Sequence, residues 1–117
     1  MRQERAGAKK FRTLKDIEPL LRRIRRRLEE IYGQRLKHVA IYGSFARGMG
    51  TEDSDIDVVA VLEGSIDRIQ EINNIQEAIY ELELESGELI SIYPITEEEL
   101  ENSVWPLYRH MKEGVRI

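Results

Sequence analysis

The chain has 117 residues, of which 41% are hydrophobic, and it contains no cysteine. A chain of this length can bury the core of one small domain, and without cysteine it forms neither a disulfide framework nor a thiolate metal site. Its net charge of −4 is unevenly distributed, because residues 1–35 carry 12 Lys and Arg against 5 Asp and Glu, whereas residues 36–117 carry 6 against 17.

The N-terminal segment is polar and basic. No run of apolar residues approaches the roughly 18 that span a bilayer, and this segment lacks the apolar stretch of a secretory signal. We therefore expect a cytoplasmic protein without membrane contact. Residues 1–12 show no periodicity, which predicts a flexible basic tail, and residues 13–117 are expected to form a single domain.

The first predicted elements are one helix and two strands. Apolar residues recur at three- and four-residue steps over residues 17–31, which predicts an amphipathic helix that Asp16 caps and Gly33 ends. Residues 36–42 and 55–62 are β-prone segments. The second is apolar on both faces beyond its first residues, which predicts a central strand.

The second half of the chain predicts a helix, a strand and a final helical stretch. Ser65 is the expected cap of a long helix that ends at Gly87, and a strand is expected over residues 88–95. Thr96 and Glu99 match a capping box, and Pro106 is expected to divide the helical stretch that follows. This order predicts an α/β (α+β) domain, a small three- or four-stranded sheet packed with helices. It leaves open whether the strands are parallel or mixed.

Two aspartates at the start of the predicted central strand are the first candidate site residues. Asp55 and Asp57 lie on one face of a strand, with Cα atoms about 6.6 Å apart. Such a pair can bind one or two Mg²⁺ ions, which prefer oxygen ligands and substrate phosphates. Two aspartates alone would more often belong to a solvated turn. However, Gly43 and Ser44 follow the preceding strand, where backbone N–H groups and a hydroxyl can hold a phosphate.

The spacing of these four residues resembles a family signature. Gly43–Ser44, ten intervening residues and Asp55-Ile56-Asp57 resemble the G-S-x10-D-x-D motif of the minimal nucleotidyltransferases (MNT), relatives of DNA polymerase β. The resemblance implies a mixed sheet and Mg²⁺-dependent transfer of a nucleotide from a nucleoside triphosphate, with ATP expected. It also implies an antitoxin role beside a HEPN-type toxin, with AMP transferred to a tyrosine of that toxin. Arg47 is a usual residue of the motif and would reach the triphosphate, although it could instead pair with nearby acidic residues.

The third carboxylate of this superfamily is the point where the chain departs from the pattern. The transferases of the superfamily carry it on a later strand, where this chain has Ser91, and Glu88 at the start of the strand is the acidic candidate. Loss of a general base costs roughly 10²–10⁴-fold in rate. The alternative function is therefore a catalytically weak or inactive nucleotide-binding module that neutralises a toxin by direct binding.

Two further surfaces suggest partners. The arginines of residues 22–27 could bind RNA or a protein, but with the apolar residues of that helix facing inward they are more simply a solvated face, so nucleic acid is not the expected partner. The apolar side chains within residues 81–89 could instead pack against a second copy of the chain, so a homodimer remains possible.

Overall fold

The computed structural model describes residues 10–102 and 104–117. In chain order the elements are α1 (Glu18–Tyr32), β1 (Leu36–Tyr42), β2 (Ile56–Leu62), α2 (Arg68–Ser86), β3 (Ile90–Thr96), α3 (Glu97–Glu101), α4 (Pro106–Lys112) and β4 (Val115–Arg116). The predicted α/β (α+β) class is confirmed, with helices packed on both faces of one sheet. In the part of the chain described here, no helix is long and apolar enough to cross a bilayer.

The sheet has the strand order β3-β2-β1-β4 and is mixed. β1 runs antiparallel to both β2 and β4, whereas β2 and β3 are parallel. β2 is an inner strand, as its apolar sequence predicts. β4 was not predicted, because two residues are too short to show a strand pattern. Pro94 lies in the edge strand β3, where its missing N–H removes no bond from the sheet interior.

The two long helices end where predicted but begin differently. α1 ends at Gly33 and α2 at Gly87. The prediction that Asp16 caps α1 is wrong, because its carboxylate accepts a hydrogen bond from the N–H of Thr13, at the start of a preceding 3₁₀ turn. Ser65 does not cap α2 either. Asp67, one residue before the helix, takes that role by accepting a backbone bond from the first turn.

The remaining predictions concern both ends of the chain. Thr96 and Glu99 form the predicted capping box, and Pro106 begins a separate helix. Residues 1–9 of the predicted tail lie outside the described residues. The prediction fails for residues 10–12, because Phe11 forms an antiparallel β-bridge with Thr51.

The core of the α1–α2 face provides a test of the packing. Leu82 on α2 is fully buried, whereas Leu84 on the same helix is 65% exposed. We expect Leu82→Ala to lower the free energy of unfolding by about 2–5 kcal/mol, because it leaves a cavity. Leu84→Ala is the matched control, with an expected change within about 0.5 kcal/mol. Urea denaturation measures both, and equal losses would contradict this assignment of the core.

Candidate functional site

Asp55 and Asp57 lie where β2 begins. Asp55 is exposed just before the strand, and Asp57 is half-buried within it. In the sheet register Asp57 is paired with Tyr42 on β1 and with Ser91 on β3. Strand alternation places Asp57 on the same face as Val59, which packs against α3 and α4. The candidate site therefore opens on the α3–α4 face, at the end of the sheet where β2 and β3 start.

The two carboxylates influence one another. Burial raises the pKa of Asp57, the negative charge of Asp55 raises it further, and the positive charge of Arg47 opposes both effects. A cation between the carboxylates would relieve this repulsion. Among the described residues there is no cluster of three or more Asp, Glu, His or Cys side chains able to hold a metal. Two carboxylates fit Mg²⁺, which usually keeps water and substrate phosphate as its other ligands.

Gly43 forms the bend that follows β1. Its φ is +81°, and a Cβ built on it would lie 2.5 Å from Oδ2 of Asp57. The backbone at this bend is therefore in direct contact with the Asp57 carboxylate, and only glycine leaves room for it. The structure thus brings together the glycine and the aspartate that lie 14 positions apart in the sequence.

The segment after the bend is a series of turns and not a helix. Its shape is set by backbone bonds from the N–H of Arg47 to the carbonyl of Gly43 (3.2 Å) and from the N–H of Met49 to the carbonyl of Ser44 (2.8 Å). No acceptor in the described part of the chain takes a bond from the N–H groups of Ser44, Phe45 and Ala46. These N–H groups are available to an anion.

Ser91, the residue expected at the position of the third carboxylate, lies on β3 beside Asp57. Ser91 pairs with Asp57 in the parallel register, and strand alternation places Ser91 and Tyr93 on the same face of the sheet as Asp57. Glu88, the acidic candidate, lies two residues before β3 and forms a bidentate ion pair with Arg12, with oxygen–nitrogen distances of 2.6 and 3.0 Å. Both carboxylate oxygens of Glu88 are therefore engaged by Arg12.

Two tyrosines border the site, Tyr42 on β1 and Tyr93 on β3, and neither was predicted from the sequence. Burial raises the pKa of Tyr42 to about 12, and the nearby charge of Asp57 contributes. Tyr93 lies two residues after Ser91, and its hydroxyl is 3.1 Å from that of Tyr108 on α4. Their positions could have been found from strand alternation. Burial also raises the pKa of Tyr93 to about 12, so the hydroxyls of Tyr42 and Tyr93 stay protonated at neutral pH and can act as hydrogen-bond donors.

A groove of about 530 Å³ continues from the site along the outer edge of β3, between this strand and α2. Asp55, Ser91 and Tyr93 lie among its lining residues. The groove offers space for a ligand larger than a metal ion.

The arginines of α1 are largely neutralised by glutamates. Within the described residues, ion pairs join Arg22 to Glu18, Arg23 to Glu85, Arg25 to Glu29 and Arg27 to Glu81. Pairing of this kind weakens the field that would attract a nucleic acid. The interpretation of this helix as a solvated, ion-paired face is therefore favoured.

Comparison with known proteins gives consistent matches. Residues 21–114 match the family described as "Nucleotidyltransferase domain". A Methanocaldococcus jannaschii protein provisionally named a protein adenylyltransferase is 31% identical over 91 residues, covering 77% of this chain and 85% of that protein. Another protein of this organism, with the same provisional description, is 42% identical over 50 residues, covering 43% of this chain and 56% of its own length. The chain spans about half the length of several such curated relatives.

A solved structure shares the fold. A Sulfolobus solfataricus protein provisionally described as a nucleotidyltransferase superposes with a TM-score of 0.62 at 21% identity. The superposition covers 84% of this chain and 76% of the other. The sheet and helices described above are therefore a known arrangement.

Proposed function

This chain belongs to the nucleotidyltransferase domain family, and we propose that it transfers a nucleoside monophosphate, AMP from ATP, to a hydroxyl of a protein partner. The observation that carries the proposal is the contact between the Gly43 bend and the carboxylate of Asp57. It joins a segment with free N–H groups, suited to phosphate, to a pair of carboxylates suited to Mg²⁺. The choice of AMP is supported by the names of the related proteins.

The proposed roles follow from the positions of the side chains. Asp55 and Asp57 would hold one or two Mg²⁺ ions, and Gly43 and Ser44 would bind the phosphates. Arg47 is exposed and its charge reaches Asp57, so it would pair with the triphosphate. Bound Mg²⁺ would supply charge neutralisation at the phosphates during transfer.

The transfer itself exchanges one phosphorus–oxygen bond for another. The acceptor oxygen bonds to the α-phosphorus, the bond from that phosphorus to the bridging oxygen breaks, and pyrophosphate leaves. The acceptor proton must go to a base. Since β3 places Ser91 rather than an acid beside Asp57, we expect transfer to be slow unless the partner or the triphosphate accepts the proton.

The proposed partner is a HEPN-type toxin, for which this chain would be a cytoplasmic antitoxin. The family resemblance supports this assignment. The groove beside Asp55 would receive a segment of the partner that carries the acceptor hydroxyl.

The second candidate function is neutralisation of the toxin by contact alone. The serine opposite Asp57 favours it, because a site without a nearby base can bind a nucleotide and still turn over poorly.

A labelling experiment separates the two functions. The chain is incubated with Mg²⁺, ATP labelled at the α-phosphate and a purified HEPN-type protein, the proposed partner. We expect label on the partner, and mass spectrometry should show one added AMP on a hydroxyl side chain. Inhibition of the toxin without added ATP, and with no label, would support the contact-only module. If neither occurs, the proposed partner is wrong.

A further inference from the structure

Residues 10–12 pair in antiparallel fashion with the loop that carries the site, through the β-bridge between Phe11 and Thr51. The N–H of Arg12 donates to the carbonyl of Gly50 at 2.9 Å, and the N–H of Glu52 donates to the carbonyl of Lys10 at 3.0 Å. Gly50 permits this close approach, because a Cβ there would lie 2.6 Å from the ring of Phe45 and 2.8 Å from the carbonyl oxygen of Arg12. The far half of residues 43–55, hereafter the site loop, is therefore held by backbone bonds.

The side chain of Arg12 then joins the site loop to β3. Its guanidinium makes the bidentate ion pair with Glu88, its Nε donates to the carbonyl of Thr51 at 3.2 Å, and it lies over the ring of Phe45 at 5.2 Å. Phe45 is 2% exposed and directly follows Ser44. One side chain thus contacts both halves of the site loop and the segment that leads into β3.

We propose that Arg12 is a positioning residue of the nucleotide site, and that Glu88 is its ion-pair partner rather than a third catalytic carboxylate. Arg12 lies outside residues 21–114, the region that matches the family. The inference rests on the proposed function and deepens it. In this proposal Arg12 keeps the phosphate-binding bend at a fixed distance from Ser91 and the groove.

The geometry makes this pair stronger than an ordinary surface contact. The Arg12 and Glu88 side chains are only 21% and 20% exposed, whereas those of the Arg23–Glu85 pair are 47% and 49% exposed. A bidentate pair also fixes the orientation of the guanidinium. Loss of either partner should loosen the site loop without removing any group that touches the nucleotide.

The test is a double-mutant cycle on the full chain. Arg12→Gln, Glu88→Gln and the double variant should each raise the KM for Mg-ATP by about the same factor, roughly tenfold, with kcat little changed, because the loop binds ground state and transition state alike. Amide hydrogen exchange of residues 44–52, measured without nucleotide, should be faster in all three. Arg23→Gln is the matched control, because it breaks a long-range Arg–Glu pair between α1 and α2 and should change neither readout.

The outcomes separate the alternatives. A fall in kcat with an altered pH profile in Glu88→Gln, absent in Arg12→Gln, would make Glu88 a catalytic base and overturn the proposal. Additive effects of the two substitutions, or equal effects of Arg12→Gln and Arg23→Gln, would also overturn it. If the folded natural protein does not bind Mg-ATP, the proposed function fails, while the exchange experiment still decides whether Arg12 orders the loop.

Discussion

Asp57→Asn is expected to lower the rate of nucleotidyl transfer by about 10³-fold or more, because it removes the charge of a proposed metal ligand beside the reacting phosphate. Asp57 is half-buried, and its Oδ2 lies against the Gly43 bend. The measurement is the initial rate of AMP transfer at saturating Mg-ATP. Glu52→Gln removes one negative charge from the exposed loop that precedes β2 and is the matched control, with an expected rate close to that of the natural protein.

The same substitution should not destabilise the protein. Burial and the charge of Asp55 raise the pKa of Asp57, so ionisation of this carboxyl opposes folding once the pH exceeds its unfolded value. At neutral pH without Mg²⁺, Asp57→Asn removes that unfavourable charge, and we expect Tm to rise. A rate loss accompanied by a fall in Tm would instead point to a structural role for Asp57.

Gly43→Ala is expected to reduce both stability and activity. At φ +81° an L residue is strained by roughly 1–2 kcal/mol, and the new methyl group would lie 2.5 Å from Oδ2 of Asp57. The carboxylate must move, and a displacement of about 1 Å at a reacting group can cost about 10²-fold in rate. Thermal unfolding and transfer kinetics measure the two effects.

Gly48→Ala separates the backbone strain from the displaced carboxylate. Gly48 has a similar φ of +73°, but no atom lies within 4 Å of a Cβ built on it. We expect Gly48→Ala to lose similar stability while keeping much more of the transfer activity. Equal losses of activity would show that the contact between Gly43 and Asp57 is not what matters.

The sequence predicts local and periodic features well. β1 and the central position of β2 follow from apolar runs, and Gly33 and Gly87 end the two long helices as expected. The aspartates and the glycine–serine pair were found because their spacing along the chain is itself the signal. Such features depend on neighbours in sequence or on a fixed motif.

The features that sequence reasoning missed depend on contacts between distant residues. The role of Arg12 could not be predicted, because its partner Glu88 is 76 positions away and its own segment has no periodicity. β4 is a strand only because β1 offers it an edge. The sequence suggested Ser65 as the cap of α2, but Asp67 lies closer to the first turn and its carboxylate accepts the bond.

The central claim is that the glycine–serine bend and the two aspartates together bind a magnesium–nucleotide complex. Calorimetric titration of the chain with ATP in the presence of Mg²⁺ tests it most directly. The account predicts binding that requires Mg²⁺ and is lost when Asp55→Asn and Asp57→Asn are combined in a folded variant. Binding of equal affinity in that variant, or none in the folded natural protein, would contradict it.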